Sequence, residues 1–263
     1  MILESLGKTT LSVIKQTREV FLLLGQSLYW FFVGPFKKKP VSRKGFFAQT
    51  VFAGVESLAI VFFVDFFIGM VLAMQSAYQL QQLGATIYVA ALVGVSMTRE
   101  IGPVLTSLVI AGRVGAAITA ELATMKVTEQ VEALETLSLN PVRYLVVPRF
   151  LALLLMLPCL VIVGDLIGMF GGFVVGVTQL HLTPGLYFDT TINFLTIKDI
   201  MTGLLKSAVF SIIITMIACH QGLSTEGGAE GVGRSTTRSV VTSFILIIIA
   251  DAILTALFYF AKT

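Results

Sequence analysis

The feature that most constrains the fold is a set of apolar blocks, each long enough to cross a lipid bilayer. A bilayer core of about 30 Å needs roughly 20 helical residues, because a helix rises about 1.5 Å per residue. Blocks of this kind occupy residues 47–74, 87–119, 144–177, 200–219 and 239–261. In hydrocarbon every backbone N–H and C=O must be satisfied within its own segment, so such blocks fold as helices. The expected class is an all-α integral membrane protein with five transmembrane helices. Only 13% of the 263 residues are charged, against about 25% in a soluble domain. The block 144–177 would be about 50 Å long as a helix. It contains Pro148 and Pro158 but no polar residue at its middle to make a turn, so it reads as one kinked span. The stretches 178–199 and 220–238 read as loops, polar and Gly-rich respectively.

The placement of positive charge orients the spans. Thirteen of the 18 Lys and Arg fall in the N-terminal segment, in residues 120–149 and in 221–238. Five spans put those three regions on one side, and the positive-inside rule makes that side cytoplasmic. The N-terminus is then cytoplasmic and the C-terminus periplasmic, whereas six spans would separate the basic segments. Residues 1–45 stand apart from the spans. Leu3, Leu6, Val13, Ile14, Val20, Phe21 and Leu24 suit an amphipathic helix on the membrane surface over residues 1–35, ending near Tyr29 and Trp30. A basic hinge, Lys37-Lys38-Lys39-Pro40 with Arg43-Lys44, comes next. No small-residue cleavage site follows a short apolar core, so the segment does not read as a secretory signal.

Several chemistries are excluded early. Cys159 and Cys219 each lie inside an apolar block; His181 has no Cys or His nearby, and His220 has only the adjoining Cys219. Neither a disulfide framework nor a metal site is expected. Charges within the spans carry more information: Arg99, Glu100, Lys206 and Asp251, with Glu56, Asp65, Arg113, Glu121 and Asp165. Each costs several kcal/mol at the bilayer centre and must face a partner, a cavity or the protein interior. Two readings stay open: opposite charges pair across helices to fix packing, or they form a polar cluster that couples helix movement to a substrate cavity. Gly164, Gly168, Gly172 and Gly176, with Gly112, Gly115 and Ala116, form small-residue rails for close helix packing.

Residues 124–140 are too polar to span, yet read as a short helix over about 128–140. Thr128 suits the N-cap, Glu129 and Glu132 the first turn, and Pro141 lies just past the end. Val131, Leu134 and Leu137 share one face, as expected of a helix that docks on a soluble partner or rests on the membrane.

The order and spacing of these motifs carry a resemblance. Arg99-Glu100-Ile101-Gly102-Pro103-Val104-Leu105 precedes Ala111-Gly112-Arg113-Val114-Gly115 and Ala120-Glu121-Leu122. Thr128-Glu129-Gln130-Val131-Glu132-Ala133-Leu134, Asn140-Pro141-Val142-Arg143, Gly231-Val232-Gly233-Arg234-Ser235-Thr236-Thr237-Arg238 and Ala250-Asp251 come after them. Together they resemble the MlaE (YrbE) family, permease subunits of ABC transporters that work with MCE proteins. The likeness covers residues 46–263 and implies a homodimer in a cell inner membrane. It implies as partners a cytoplasmic MlaF-like ATPase, a hexameric MlaD-like ring of MCE domains and, often, a small MlaB-like STAS protein, with phospholipid as cargo and no role for nucleic acid. Residues 128–140 match the family's coupling helix, which makes Glu129, Val131, Glu132, Leu134 and Leu137 candidates for ATPase docking. Arg99, Glu100, Lys206 and Asp251 match its buried charges. Met70, Leu72, Met74, Tyr78, Leu80 and Tyr88 are candidates for lining the lipid path.

The chain is not expected to bind a cofactor or catalyse a reaction of its own. A phosphate-binding loop needs G-x-x-x-x-G-K-[ST]; Gly7-Lys8-Thr9 imitates its end, but Ile2 stands where the first glycine belongs. ATP and Mg then belong to the partner ATPase. An alternative from another class is an ion-coupled secondary transporter with Glu56, Asp65, Glu100 and Asp251 as a proton relay.

Overall fold

A computed structural model describes residues 2–33 and 43–260. Helix α1 spans Ile2–Val33, α2 Arg43–Ala53 and α3 Leu58–Gln82. A tight turn, Val55–Ser57, joins α2 to α3. Helix α4 runs Tyr88–Val127, α5 Gln130–Thr136 and α6 Val142–Thr178. The last three are α7 Pro184–Phe194, α8 Ile197–Leu223 and α9 Gly228–Phe260. No strand occurs among the described residues. Five columns are long and apolar enough to cross a membrane: α2 with α3, α4, α6, α8 and α9. The basic hinge residues Lys37, Lys38, Lys39 and Pro40 lie outside the described residues.

The region 144–177 is one continuous helix, as expected, with Pro158 inside it. Pro148 closely follows a widened stretch at Val142–Val146, the kind of local adjustment that accommodates a proline inside a membrane helix. The first half of the α6 glycine rail, Gly164 and Gly168, packs on α3, whereas Gly176 lies against Tyr187 of α7; α3 and α6 make the most extensive pair in the bundle. A Cβ on Gly69 of α3 would overlap the Gly168 carbonyl oxygen, and one on Gly171 would overlap the Phe66 carbonyl oxygen. Backbone meets backbone there, the close approach that small residues permit in membranes.

Two expected loops are largely helical. Only residues 224–227 separate α8 from α9, in place of the expected loop over 220–238. Gly227 and Gly228 make the turn with φ of +90° and +66°, values that residues with a Cβ rarely adopt. Gly231 belongs to α9 and lies against the Glu226 carbonyl, where a Cβ would overlap it. The glycine-rich composition thus serves one tight turn and one close contact. Likewise, 178–199 contains α7 and a capping box. Thr196 Oγ1 accepts from the Asp199 N–H (3.3 Å), and Asp199 Oδ2 accepts from the Thr196 N–H (3.0 Å).

Helix α1 does more than lie on a surface. Leu23 and Ser27 are buried, Val20 and Leu24 pack against the main core, and Glu19 Oε2 stands 3.1 Å from His220 Nε2 of α8. The Arg143 guanidinium lies over the Trp30 ring, 5.5 Å from its centroid. Phe21, Leu22 and Phe32 remain exposed, an apolar outer face suited to lipid.

Candidate functional site

Helix α4 departs from α-geometry where its charges sit. Across Met97–Ile101 the turn widens to π spacing, and the Gly102 N–H bonds the Met97 carbonyl five residues back. An extra residue per turn re-aims the side chains around it, which is why such turns recur at functional positions. Here Glu100 reaches Lys206 of α8 and Arg99 reaches Asp199 at the start of α8, with Nε to Oδ1 at 3.5 Å. A second widened turn, Ala111–Gly115, carries Arg113.

Lys206 is the centre of the site. Its side chain is 1% exposed. Its ammonium bonds the Glu100 carboxylate, donates to the Thr255 hydroxyl at 2.7 Å and pairs with Asp251 Oδ1 at 2.8 Å. Thr255 Oγ1 also lies 3.2 Å from each Glu100 carboxylate oxygen. Asp251 and Thr255 are one helical turn apart on the same face of α9. A single cation therefore ties α4, α8 and α9 together, and the geometry brings three of the four expected charges to one place. Arg99 is the exception, because the widened turn directs it to Asp199.

The remaining charges are mostly paired. Arg113 donates to Glu56 Oε2 (3.0 Å), Ser57 Oγ (2.6 Å) and the Phe52 carbonyl (3.0 Å). Arg149 meets Glu121 Oε2 at 2.7 Å. The four carboxylates considered for a proton relay do not form a chain: Glu56 belongs to Arg113, Glu100 and Asp251 to Lys206, and Asp65 to a separate place beside Thr106. Sequence reasoning missed Asp199, Thr255 and the Arg149–Glu121 pair. Thr196-x-x-Asp199 was legible as a capping box, and Thr255 as the residue one turn beyond Asp251.

The short helix α5 differs from expectation in extent. It covers Gln130–Thr136, not 128–140. Thr128 closes α4 instead of capping α5: its hydroxyl donates to the Thr124 carbonyl (2.8 Å). Glu129 precedes the helix with φ +60°, and this left-handed residue turns the chain between the two. Val131 is buried in the main core and Leu134 packs against it, so Val131 does not face outward as a docking residue would. Leu137, just past the helix, is 70% exposed. Glu132 bonds the Lys126 ammonium at the end of α4, which holds its carboxyl below the ordinary carboxylate range. Of the five docking candidates, Glu129 and Leu137 are exposed and Glu132 is half-buried.

The six candidate lipid-path residues divide. Met70, Leu72 and Leu80 pack on a small core of Ala73, Ala77, Val89, Val93, Met97 and Val175. Met74, Tyr78 and Tyr88 are exposed; Met74 and Tyr78 share a face of α3, and Tyr88 meets Phe194 of α7 edge-on at 5.7 Å. A cavity of about 580 Å³ lies elsewhere, between α1, α8 and α9, lined by Phe21, Leu24, Met216, Ile249 and Ile253 among others.

The family model described as Permease MlaE matches residues 46–257. A Rickettsia typhi chain named "Probable ABC transporter permease protein" is 46% identical over 222 residues, 84% of this chain and 86% of that one. One of the same description from Synechocystis is 43% identical over 219 residues, 83% of each. The intermembrane phospholipid transport system permease protein MlaE of Haemophilus influenzae is 37% identical over 249 residues, 93% of this chain and 95% of that one.

Proposed function

The chain belongs to the MlaE permease family, and from that premise we propose that it is the membrane subunit of an ABC transporter whose cargo is phospholipid. It takes up or delivers that lipid at an MCE-protein conduit on the periplasmic side of the inner membrane, and a separate cytoplasmic ATPase supplies the energy. The observation that carries this reading is the similarity to the Haemophilus phospholipid permease, 37% identity over 93% of the chain. Two copies pair, and the exposed Met74, Tyr78 and Tyr88 line the lipid path between them. The N-terminus and α5 lie on the cytoplasmic side, a placement that the Lys and Arg distribution supports.

Force enters at α5. The helix is anchored by Val131 and Leu134 and by the Lys126–Glu132 pair, so a push on its exposed end is passed to α4. Helix α4 holds Glu100, and through Lys206 that push reaches α8 and α9. A charge cluster shared by three helices is suited to change partners when the helices shift.

The test is co-purification with the ATPase. Leu137→Asp places a charge on an exposed apolar docking residue, and the expected result is loss of the ATPase while the permease keeps its melting temperature. Val131→Asp instead buries a charge in the main core and should destabilise the permease itself. Full retention of the ATPase by Leu137→Asp would remove α5 as the docking element. Lipid retained by the intact complex, identified by mass spectrometry, tests the cargo: absence of bound phospholipid counts against it.

A further inference from the structure

Two buried side chains play no part in the proposed transport of force or lipid. Asp65 of α3 is 0% exposed and Asp165 of α6 is 8% exposed. Both lie against one face of α4. Thr106 Oγ1 donates to Asp65 Oδ2 at 3.1 Å. Gly102 is so close to Asp165 Oδ1 that a Cβ there would overlap it, and a Cβ on Gly164 would overlap Asp65 Oδ2. Glycine stands at both positions where the backbone must make room for a carboxyl group. Gly102 and Thr106 are four residues apart, about 6 Å along the helix, so the two carboxyl groups sit within one turn of each other.

One oxygen of each carboxyl group, Asp65 Oδ1 and Asp165 Oδ1, is buried and lacks a hydrogen-bond partner among the described residues. The other charged side chains of α3, α4 and α6 are engaged elsewhere. Arg99 pairs with Asp199, Glu100 with Lys206, Arg113 with Glu56 and Arg149 with Glu121. Lys126 pairs with Glu132, and Arg143 lies over Trp30. A carboxylate inside a membrane bundle with no cation and at most one donor is strongly penalised, and binding a positive charge removes the penalty. One more oxygen stands beside Asp65: the Thr106 hydroxyl keeps lone pairs after its donation. A set of oxygens alone favours a hard cation.

We propose that Asp65, Asp165 and Thr106 form a monovalent-cation site at the junction of α3, α4 and α6, holding H+ or Na+. The site goes beyond the lipid-permease reading and stands independently of it. A cation there neutralises the one junction of the bundle whose acids have no basic partner among the described residues, and it lies beside the widened turn that carries Glu100.

Thermal unfolding of the purified full-length chain tests this on native protein, Asp65→Asn and Asp165→Asn; the asparagines keep side-chain size and remove the charge. One series varies NaCl with choline chloride holding ionic strength, and a second varies pH without Na+. A Na+ site raises the native Tm by about 3–6 °C per tenfold NaCl above saturation, and the variants lose that response. A proton site shows no response to NaCl. Its native Tm falls as pH rises, because the folded state then holds a proton that the unfolded chain releases, and the variants show a flatter profile. Native and variant chains moving in parallel in both series would overturn the proposal. That outcome leaves ATPase co-purification untouched, so the two readings fail separately.

Discussion

Lys206→Ala should lower the melting temperature of the purified permease by about 6–12 °C, corresponding to about 3 kcal/mol for a chain of this size. Removing one partner of a buried pair is costly because the other is left as an uncompensated charge. Lys206 Nζ serves two carboxylates and a hydroxyl at once, so its loss leaves Glu100 and Asp251 facing each other without a cation. Their side chains retain 37% and 22% exposure; some water reaches them, and the lower end of the usual range for a broken buried pair applies. A triple variant, Lys206→Met with Glu100→Gln and Asp251→Asn, removes the charges together and should recover most of the lost stability. ATP-driven lipid transport should stay impaired in that variant if the cluster carries motion between helices. Were Lys206→Ala to melt like the native chain, the lysine would be hydrated and the cluster would not hold the helices.

Gly69→Ala should be the most damaging single methyl group in the bundle. The added Cβ meets the Gly168 carbonyl of α6, which is backbone and has no rotamer to yield. Overpacking usually costs about 1–3 kcal/mol, and this contact belongs at or above the top of that range because α3 and α6 must separate along their whole length. The internal control is Gly25→Ala in α1, where nothing lies within 4 Å of the added atom. There alanine should be neutral or stabilise by about 0.5–1 kcal/mol through helix propensity. Circular dichroism melts in detergent separate the two. Equal melting of both variants would mean that α3 and α6 do not touch through their backbones.

How much of the fold was legible in the sequence depends on the strength of each physical constraint. Backbone satisfaction in hydrocarbon is nearly absolute, so the five spans and the unbroken α6 could be read directly. The need of each intramembrane charge for a partner is nearly as strong, but it left the pairing open among nine charges; the family resemblance grouped Arg99, Glu100, Lys206 and Asp251, of which the last three meet. Helix ends are governed by weaker, local effects. Gly231 and Gly233 have the composition of loop residues, because propensity disfavours glycine in helices, yet α9 contains both; tertiary packing overrode a preference of about 1 kcal/mol. Arg99 joins the cluster only by adjacency in sequence, and the widened turn at Met97–Ile101 could not be inferred from residue spacing. Val131 shares a helical face with Leu137 by spacing, yet helix α5 ends before Leu137, so one is buried and the other exposed.

Helix α9 carries most of its apolar surface outward: Ile245, Ile248, Ile253 and Leu257 are exposed, and only Ile247 of this group is in the core. Where α9 meets α4 and α8, Asp251 and Thr255 bind it to the buried Lys206. The two kinds of hold differ in range. Dispersion contact is forfeited within about an ångström of separation, whereas attraction between opposite charges decays only as the inverse of distance and is strengthened where water is scarce. A helix gripped by leucines alone would let go abruptly. Tethered to Lys206, α9 is held by an attraction whose reach exceeds that of its apolar contacts.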